Sequence, residues 1–139
     1  MAVEATLAPG LDFESWPELA RFVLTEERQG GDWAIAVALV DDARIRELHR
    51  AFMGVDAATD VITFPAASPG ESPSGGDIAI SVERAAAQAP DFGLSPAAET
   101  TFVFVHGLLH LSGWDDATAE DRARMLERGH ALLNRFDRR

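Results

Sequence analysis

The chain has 139 residues, enough for one domain with a core of ordinary size, and its 47% hydrophobic and 25% charged residues suit a soluble globular protein. Twelve basic against 23 acidic residues leave a net charge of −11, which argues against broad electrostatic binding of nucleic acid and gives no expectation of DNA binding. There is no cysteine, so a disulfide framework and any thiolate metal site are excluded, and ligation of a metal would fall to histidine and carboxylate.

Residues 1–8 alternate in a β-like way, with Val3 and Leu7 as inward candidates, until Pro9-Gly10 breaks the run. Ser15-Trp16-Pro17-Glu18 reads as a helix start with Ser15 at the N-cap. Leu19, Phe22 and Val23 continue its stripe, and Gly30-Gly31 is the expected stop. Trp33, Ile35, Val37 and Leu39 alternate with alanines, which predicts a strand with one well-packed face. Asp41 can cap a second helix that buries Ile45, Leu48 and Phe52. Residues 60–65 form a short β run stopped by Pro65, and the Pro/Gly/Ser-rich stretch 66–76 reads as a loop. Residues 77–82 are the next strand, leading into an alanine-rich helix that begins near Ser81 or Glu83 and ends at Pro90 and Gly93. Ser95-Pro96 opens another helix, with proline at the first helical position. A last amphipathic helix is predicted over 118–136, with Met125, Leu126, Leu132 and Leu133 inward. The expected fold is α+β: a single domain over residues 1–139, with a small mixed β-sheet packed by helices. The N-terminus lacks a leader pattern and no apolar run approaches about 20 residues, so the expected location is cytoplasmic.

The most informative stretch is HGLLHLSGWDD, from His106 to Asp116. His106 and His110 are four apart, which on a helix places both imidazoles on one face. The preceding residues Thr101-Phe102-Val103-Phe104-Val105 are mostly apolar, so their helix should be central and buried. Gly113 can turn the chain with positive φ, after which Asp116 can return toward the same point. Two imidazoles and a carboxylate suit a divalent transition metal such as zinc, with one position left open. One histidine on an apolar face is more often a hydrogen-bonded core residue; two at helical spacing, then glycine, then an acid, form a more specific pattern. Around this stretch, Asp115 either orients a ligand or caps the last helix, with the cap favoured. Thr59 and Asp60 are expected to fix the turn into their strand. Ser81 either lines the cleft or caps a helix. Glu99, seven residues before His106, is read as a solvated first-turn acid rather than a partner of a ligand. His49 and His130 are read as surface or boundary residues.

Three stretches together resemble the YbeY family of bacterial metal-dependent endoribonucleases and ribosomal RNA maturation factors. Thr59-Asp60-Val61-Ile62-Thr63-Phe64-Pro65 is similar to the family's T-D-V-L-S-F-P. Gly76-Asp77-Ile78-Ala79-Ile80-Ser81 is similar to G-D-I-x-I-S, and HGLLHLSGWDD to H-G-x-L-H-L-x-G-Y-D-H. The resemblance implies a metal cleft, one zinc or other divalent ion, and metal-dependent cleavage of single-stranded RNA. It also implies the small-subunit ribosomal RNA and its 3′ end as target, the ribosomal small subunit as partner, and no membrane. By motif position His106 and His110 match family metal ligands, and Asp116 stands where the family's third ligand is histidine. Met53 stands where many members carry an arginine thought to contact RNA phosphate.

A metal held by His106, His110 and Asp116 would acidify a water for attack on a phosphodiester, and no side chain is assigned as catalytic base. The spacing is also that of metzincin proteases, whose base is a glutamate directly after the first histidine. Here that position is Gly107, so a small zinc metalloprotease is a remote alternative. The nearer alternative is a non-catalytic ribosome-assembly or RNA-binding factor with a weakened metal site, which Asp116, Met53 and the acidic charge favour.

Overall fold

The structure, a computed structural model, describes residues 2–4, 14–66 and 74–139. The first strand, β1 (Ala2–Glu4), falls within the predicted β-like run; its side chains and the Pro9-Gly10 break lie outside the described residues. Helix α1 (Trp16–Glu26) has Ser15 at its N-cap and Pro17 in its first turn. It stops four residues before the predicted Gly30. Arg28 takes the left-handed conformation at φ 58°, and its N–H and that of Gln29 close on the carbonyls of Thr25 and Leu24. That double bond pattern terminates a helix without a glycine.

Strand β2 (Trp33–Val40) puts Ile35, Val37 and Leu39 into the core, as the alternation predicts. Helix α2 (Asp42–Met53) is capped by Asp41, whose carboxylate accepts from Arg44 N–H at 2.7 Å. Its inward stripe is narrower than expected. Ile45 is buried, but Phe52 is 69% exposed and meets Phe64 edge-on at 5.3 Å. Strands β3 (Val61–Pro65) and β4 (Ser74–Ser81) follow. The strand begins three residues earlier than predicted, at Ser74, because Gly75 and Gly76 are strand residues. A Cβ at either would lie 2.1 Å from a neighbouring carbonyl oxygen, of Ala34 or Phe64. These glycines therefore mark close backbone approach rather than a loop.

The sheet order is β1-β2-β4-β3, with β1-β2 and β2-β4 parallel and β4-β3 antiparallel. This is the mixed sheet expected. Register pairs Val37 with Ile78 and Leu39 with Ile80, so one face is continuous and apolar. The other face, with Ala36, Ala38, Asp77 and Ala79, borders a groove of about 570 Å³ that α2 overhangs through Arg44, Leu48 and Phe52.

Helix α3 (Val82–Gln88) and a 3-10 turn (Ala89–Phe92) end at Gly93, φ 67°. Ser81 is the cap of α3: its Oγ accepts from Arg84 N–H and donates to Asp42 at 2.6 Å. Helix α4 (Pro96–Leu111) begins as predicted, with Ser95 accepting from Ala98 N–H. It is central. Phe102 is 4% exposed, Val105 and Leu109 are fully buried, and Phe104 stacks on Trp16 of α1 at 4.2 Å. Gly107 lets α4 lie close on the sheet, for a Cβ there would sit 2.9 Å from Ile78 Cγ2 and 3.4 Å from Val61 Cγ2. Helix α5 (Ala119–Asp137) covers the other side of α4 and buries Met125 and Leu132, while Leu126 and Leu133 are half-buried.

Candidate metal centre

The last turns of α4 carry His106 and His110 on one face, their rings 4.8 Å apart and edge-on. Gly113, at φ 105°, then reverses the chain. The N–H groups of Gly113 and Trp114 close on the carbonyls of His110 and Leu109, at 3.1 and 3.0 Å. This is the two-bond helix stop that needs a left-handed residue, which glycine supplies without a Cβ penalty. The returning segment is pinned from two directions. Trp114 Nε1 donates to Glu27 at 3.0 Å, and Arg128 of α5 donates to the same carboxylate at 2.6 Å. Glu27 thus ties the end of α1, the turn and α5 together, and Asp116 is presented back to the helix.

Asp116 Oδ2 lies 3.5 Å from His106 Nε2 and 3.4 Å from His110 Nε2. One ligand atom from each residue falls within 4.8 Å of the others. Separations of 3.4–3.5 Å are long for hydrogen bonds. These two edges lie close to the roughly 3.3 Å edge of a tetrahedron whose centre is 2.0–2.1 Å from each corner, while the three donor atoms together spread over up to 4.8 Å. The donor set fits a divalent transition ion, with the two imidazoles drawing closer around it. His110 Nδ1 lies 3.3 Å from the Trp114 carbonyl, which favours a proton on Nδ1 and a free lone pair on Nε2.

His106 is 6% exposed, and its Nδ1 has no hydrogen-bond partner among the described residues. It borders a small cavity of about 30 Å³ with Asp60, Gln88, Glu99 and Arg122. Burial, and then the neighbouring His110, hold the His106 imidazole below its ordinary value, while the Asp60 and Asp116 carboxylates pull the other way. Two expectations change here. Glu99 is 1% exposed rather than solvated, because the helix face that carries His106 two turns later is already turned inward at Glu99. Burial, followed by the charge of Asp60, pushes its carboxyl up to about 7, partly offset by a hydrogen bond from Gln88. Asp60 does more than fix a turn: its carboxylate accepts from Gln88 at 3.2 Å and borders the same cavity as His106.

The remaining candidates are structural. Asp115 accepts from Ala117 N–H at 2.9 Å and Thr118 caps α5, so Asp115 holds the turn and is not the helix cap. His49 Nδ1 lies 2.8 Å from the Ala57 carbonyl, and His130 stacks on Phe102 at 4.2 Å. Met53 ends α2, 49% exposed, with no donor to offer a phosphate. Sequence reasoning did not single out Gln88, Glu27 or Arg122. Nothing local marks them, since each matters through a partner distant in sequence or across a turn.

Fold and site together define a mixed α+β protein whose central helix and following turn form a ready two-histidine, one-carboxylate centre. A family profile described as Endoribonuclease YbeY matches residues 11–137. Curated relatives named Endoribonuclease YbeY include one from Moorella thermoacetica, 45% identical over 117 residues, covering 77% of this chain and 75% of the relative. Another, from Macrococcus caseolyticus, is 37% identical over 137 residues, covering 91% and 88%. A solution structure of a Thermotoga maritima protein superposes with TM-score 0.63 at 25% identity, covering 98% of this chain and 90% of that one. The chain belongs to the YbeY endoribonuclease family.

Proposed function

We propose that this protein is a metal-dependent endoribonuclease of ribosomal RNA maturation, with His106, His110 and Asp116 as its metal ligands. The observation that carries the reading is the convergence of those three donor atoms within 4.8 Å on a buried helix end. Family membership supplies the reaction class, cleavage of RNA phosphodiester bonds. The finer parts belong to the same proposal: zinc as the ion, single-stranded small-subunit RNA near its 3′ end as substrate, the ribosomal small subunit as partner, and the cytoplasm as compartment. Among the described residues no helix is long and apolar enough to cross a membrane. Residues 1–139 are read as one catalytic domain, supported by a continuous core that joins α1, the sheet, α4 and α5.

A divalent ion at this centre supplies Lewis acidity and a more acidic water for attack on phosphorus. The chain prepares for it in three ways. Burial disfavours the charged imidazolium of His106, which lowers the proton cost of ligation there. His110 is oriented by the Trp114 carbonyl, and Asp116 by the pinned turn. Gly107 leaves no side chain beside His106 to act as a base, and Ile78 and Val61 fill the space a glutamate would need, which argues physically against the protease alternative.

The test is a cleavage assay. Zinc-loaded protein should cut single-stranded RNA, and His110→Ala should lose that activity while keeping its circular dichroism spectrum. RNA left intact by the loaded wild type, at concentrations where a relative with three histidines cuts it, would favour the assembly-factor alternative.

A further inference from the structure

The proposed reaction places an anionic phosphodiester beside the metal, in a chain of net charge −11. An anionic substrate held there calls for a cation near the centre. Other arginines are committed to carboxylates remote from it, Arg46 to Asp56, Arg84 to Asp42, Arg135 to Glu26 and Arg139 to Glu18, and Arg128 is committed to Glu27, which also holds Trp114. Arg122 differs. On the first turns of α5, it borders the cavity beside His106, and its guanidinium lies 3.8 Å from Asp116 Oδ2. Its side chain is 56% exposed, so it reaches the centre from the solvent side.

A pair this long and this exposed adds little to stability. Its partner oxygen is also the one that faces both histidines. A metal ion and Arg122 therefore compete for the same carboxylate charge. Once Asp116 serves the metal, the guanidinium is left at the mouth of the centre with its donors free. Its planar fork matches two phosphate oxygens, and it stays charged at any working pH.

Resting on the endoribonuclease reading, we propose that Arg122 is the substrate-phosphate-binding residue of this centre. It exchanges Asp116 for an RNA phosphate when Asp116 turns to the metal. The same arrangement makes Arg122 a mild competitor of metal binding in the free protein.

Two measurements on Arg122→Gln and Arg122→Lys test this. The first is a zinc titration against a chromophoric chelator, without RNA. Arg122→Gln should bind zinc as tightly as the wild type or a few-fold tighter. The second is binding of a fluorescent single-stranded oligoribonucleotide to zinc-loaded protein across a salt series. Arg122→Gln should bind about tenfold more weakly, as loss of one charge-assisted contact implies. Its logarithmic salt slope should fall by about 0.7, the value of one phosphate contact on a single strand. Arg122→Lys should recover the slope and part of the affinity. Equal RNA affinity and slope in wild type and Arg122→Gln would overturn the proposal while leaving the endoribonuclease reading intact. A loss of zinc affinity in Arg122→Gln would also overturn it, by making Arg122 a support for Asp116. No RNA binding by the wild type would overturn the endoribonuclease reading and the phosphate role together.

Discussion

Replacing Glu99 by glutamine isolates the electrostatic cost of an acid buried behind the metal centre. The carboxyl is 1% exposed, its Oε2 has no hydrogen-bond partner among the described residues, and burial pushes its pKa from 4.5 to about 7. A shift of that size corresponds to about 3 kcal/mol. The folded state holds the proton more tightly than the unfolded state. Glu99 therefore costs nothing below pH 4.5, where both states are protonated, and its penalty grows as pH rises to about 7. His106 acts in the opposite direction: its depressed pKa makes folding more favourable as pH rises toward 6.5. The wild type's own curve mixes the two, and the difference between wild type and Glu99→Gln removes His106. Urea denaturation of both proteins in chelator, from pH 4.5 to 8, is the assay. The variant should gain on the wild type steadily with pH, reaching about 3 kcal/mol above pH 7, or about 10 °C in Tm. A difference that stays constant between pH 5 and 8 would refute the reasoning, because Glu99 would then be ionised in the fold.

Other outcomes follow from the same geometry. Asp116→Ala should lower zinc affinity clearly in a chelator competition, while Asp116→His should keep or raise it; equal affinity for wild type and Asp116→Ala would assign Asp116 to the turn alone. His110→Ala should remove metal binding but lower the unfolding free energy, measured by urea denaturation in chelator, by less than about 1 kcal/mol, since its side chain is 23% exposed. Gly107→Ala should destabilise by about 1–2 kcal/mol in denaturant, because overpacking against Ile78 outweighs the helix-propensity gain of about 1 kcal/mol. A more stable Gly107→Ala would show that the sheet yields there.

Much of the fold was legible because its signals are local. The alternation of Trp33–Val40, the caps Asp41 and Ser95, and the apolar run before His106 each specify an element without long-range help. The convergence of His106, His110 and Asp116 was also legible, since helical spacing and one left-handed glycine fix it. What escaped depends on partners far along the chain. Glu99 reads as an ordinary first-turn acid until α3 and the segment at Asp60 close over it. Phe52 has helical spacing with Ile45 and Leu48, yet it meets the sheet only edge-on at Phe64, beside a groove floored by Ala36, Ala38 and Ala79. Gly75 and Gly76 look like loop residues, and the carbonyls of Ala34 and Phe64 that require them belong to other strands. Arg128 and Trp114 meet on Glu27, a residue about 90 to 100 positions away, and no local pattern announces it.

The most direct test of the account is to purify the protein without added metal, measure its metal content, and assay cleavage of single-stranded RNA before and after zinc is restored to a chelated sample. The account predicts close to one ion per chain, RNA cleavage that disappears with the ion and returns with it, and loss of both in a His106→Ala, His110→Ala double variant. Cleavage that persists in the stripped protein or in that double variant would contradict it.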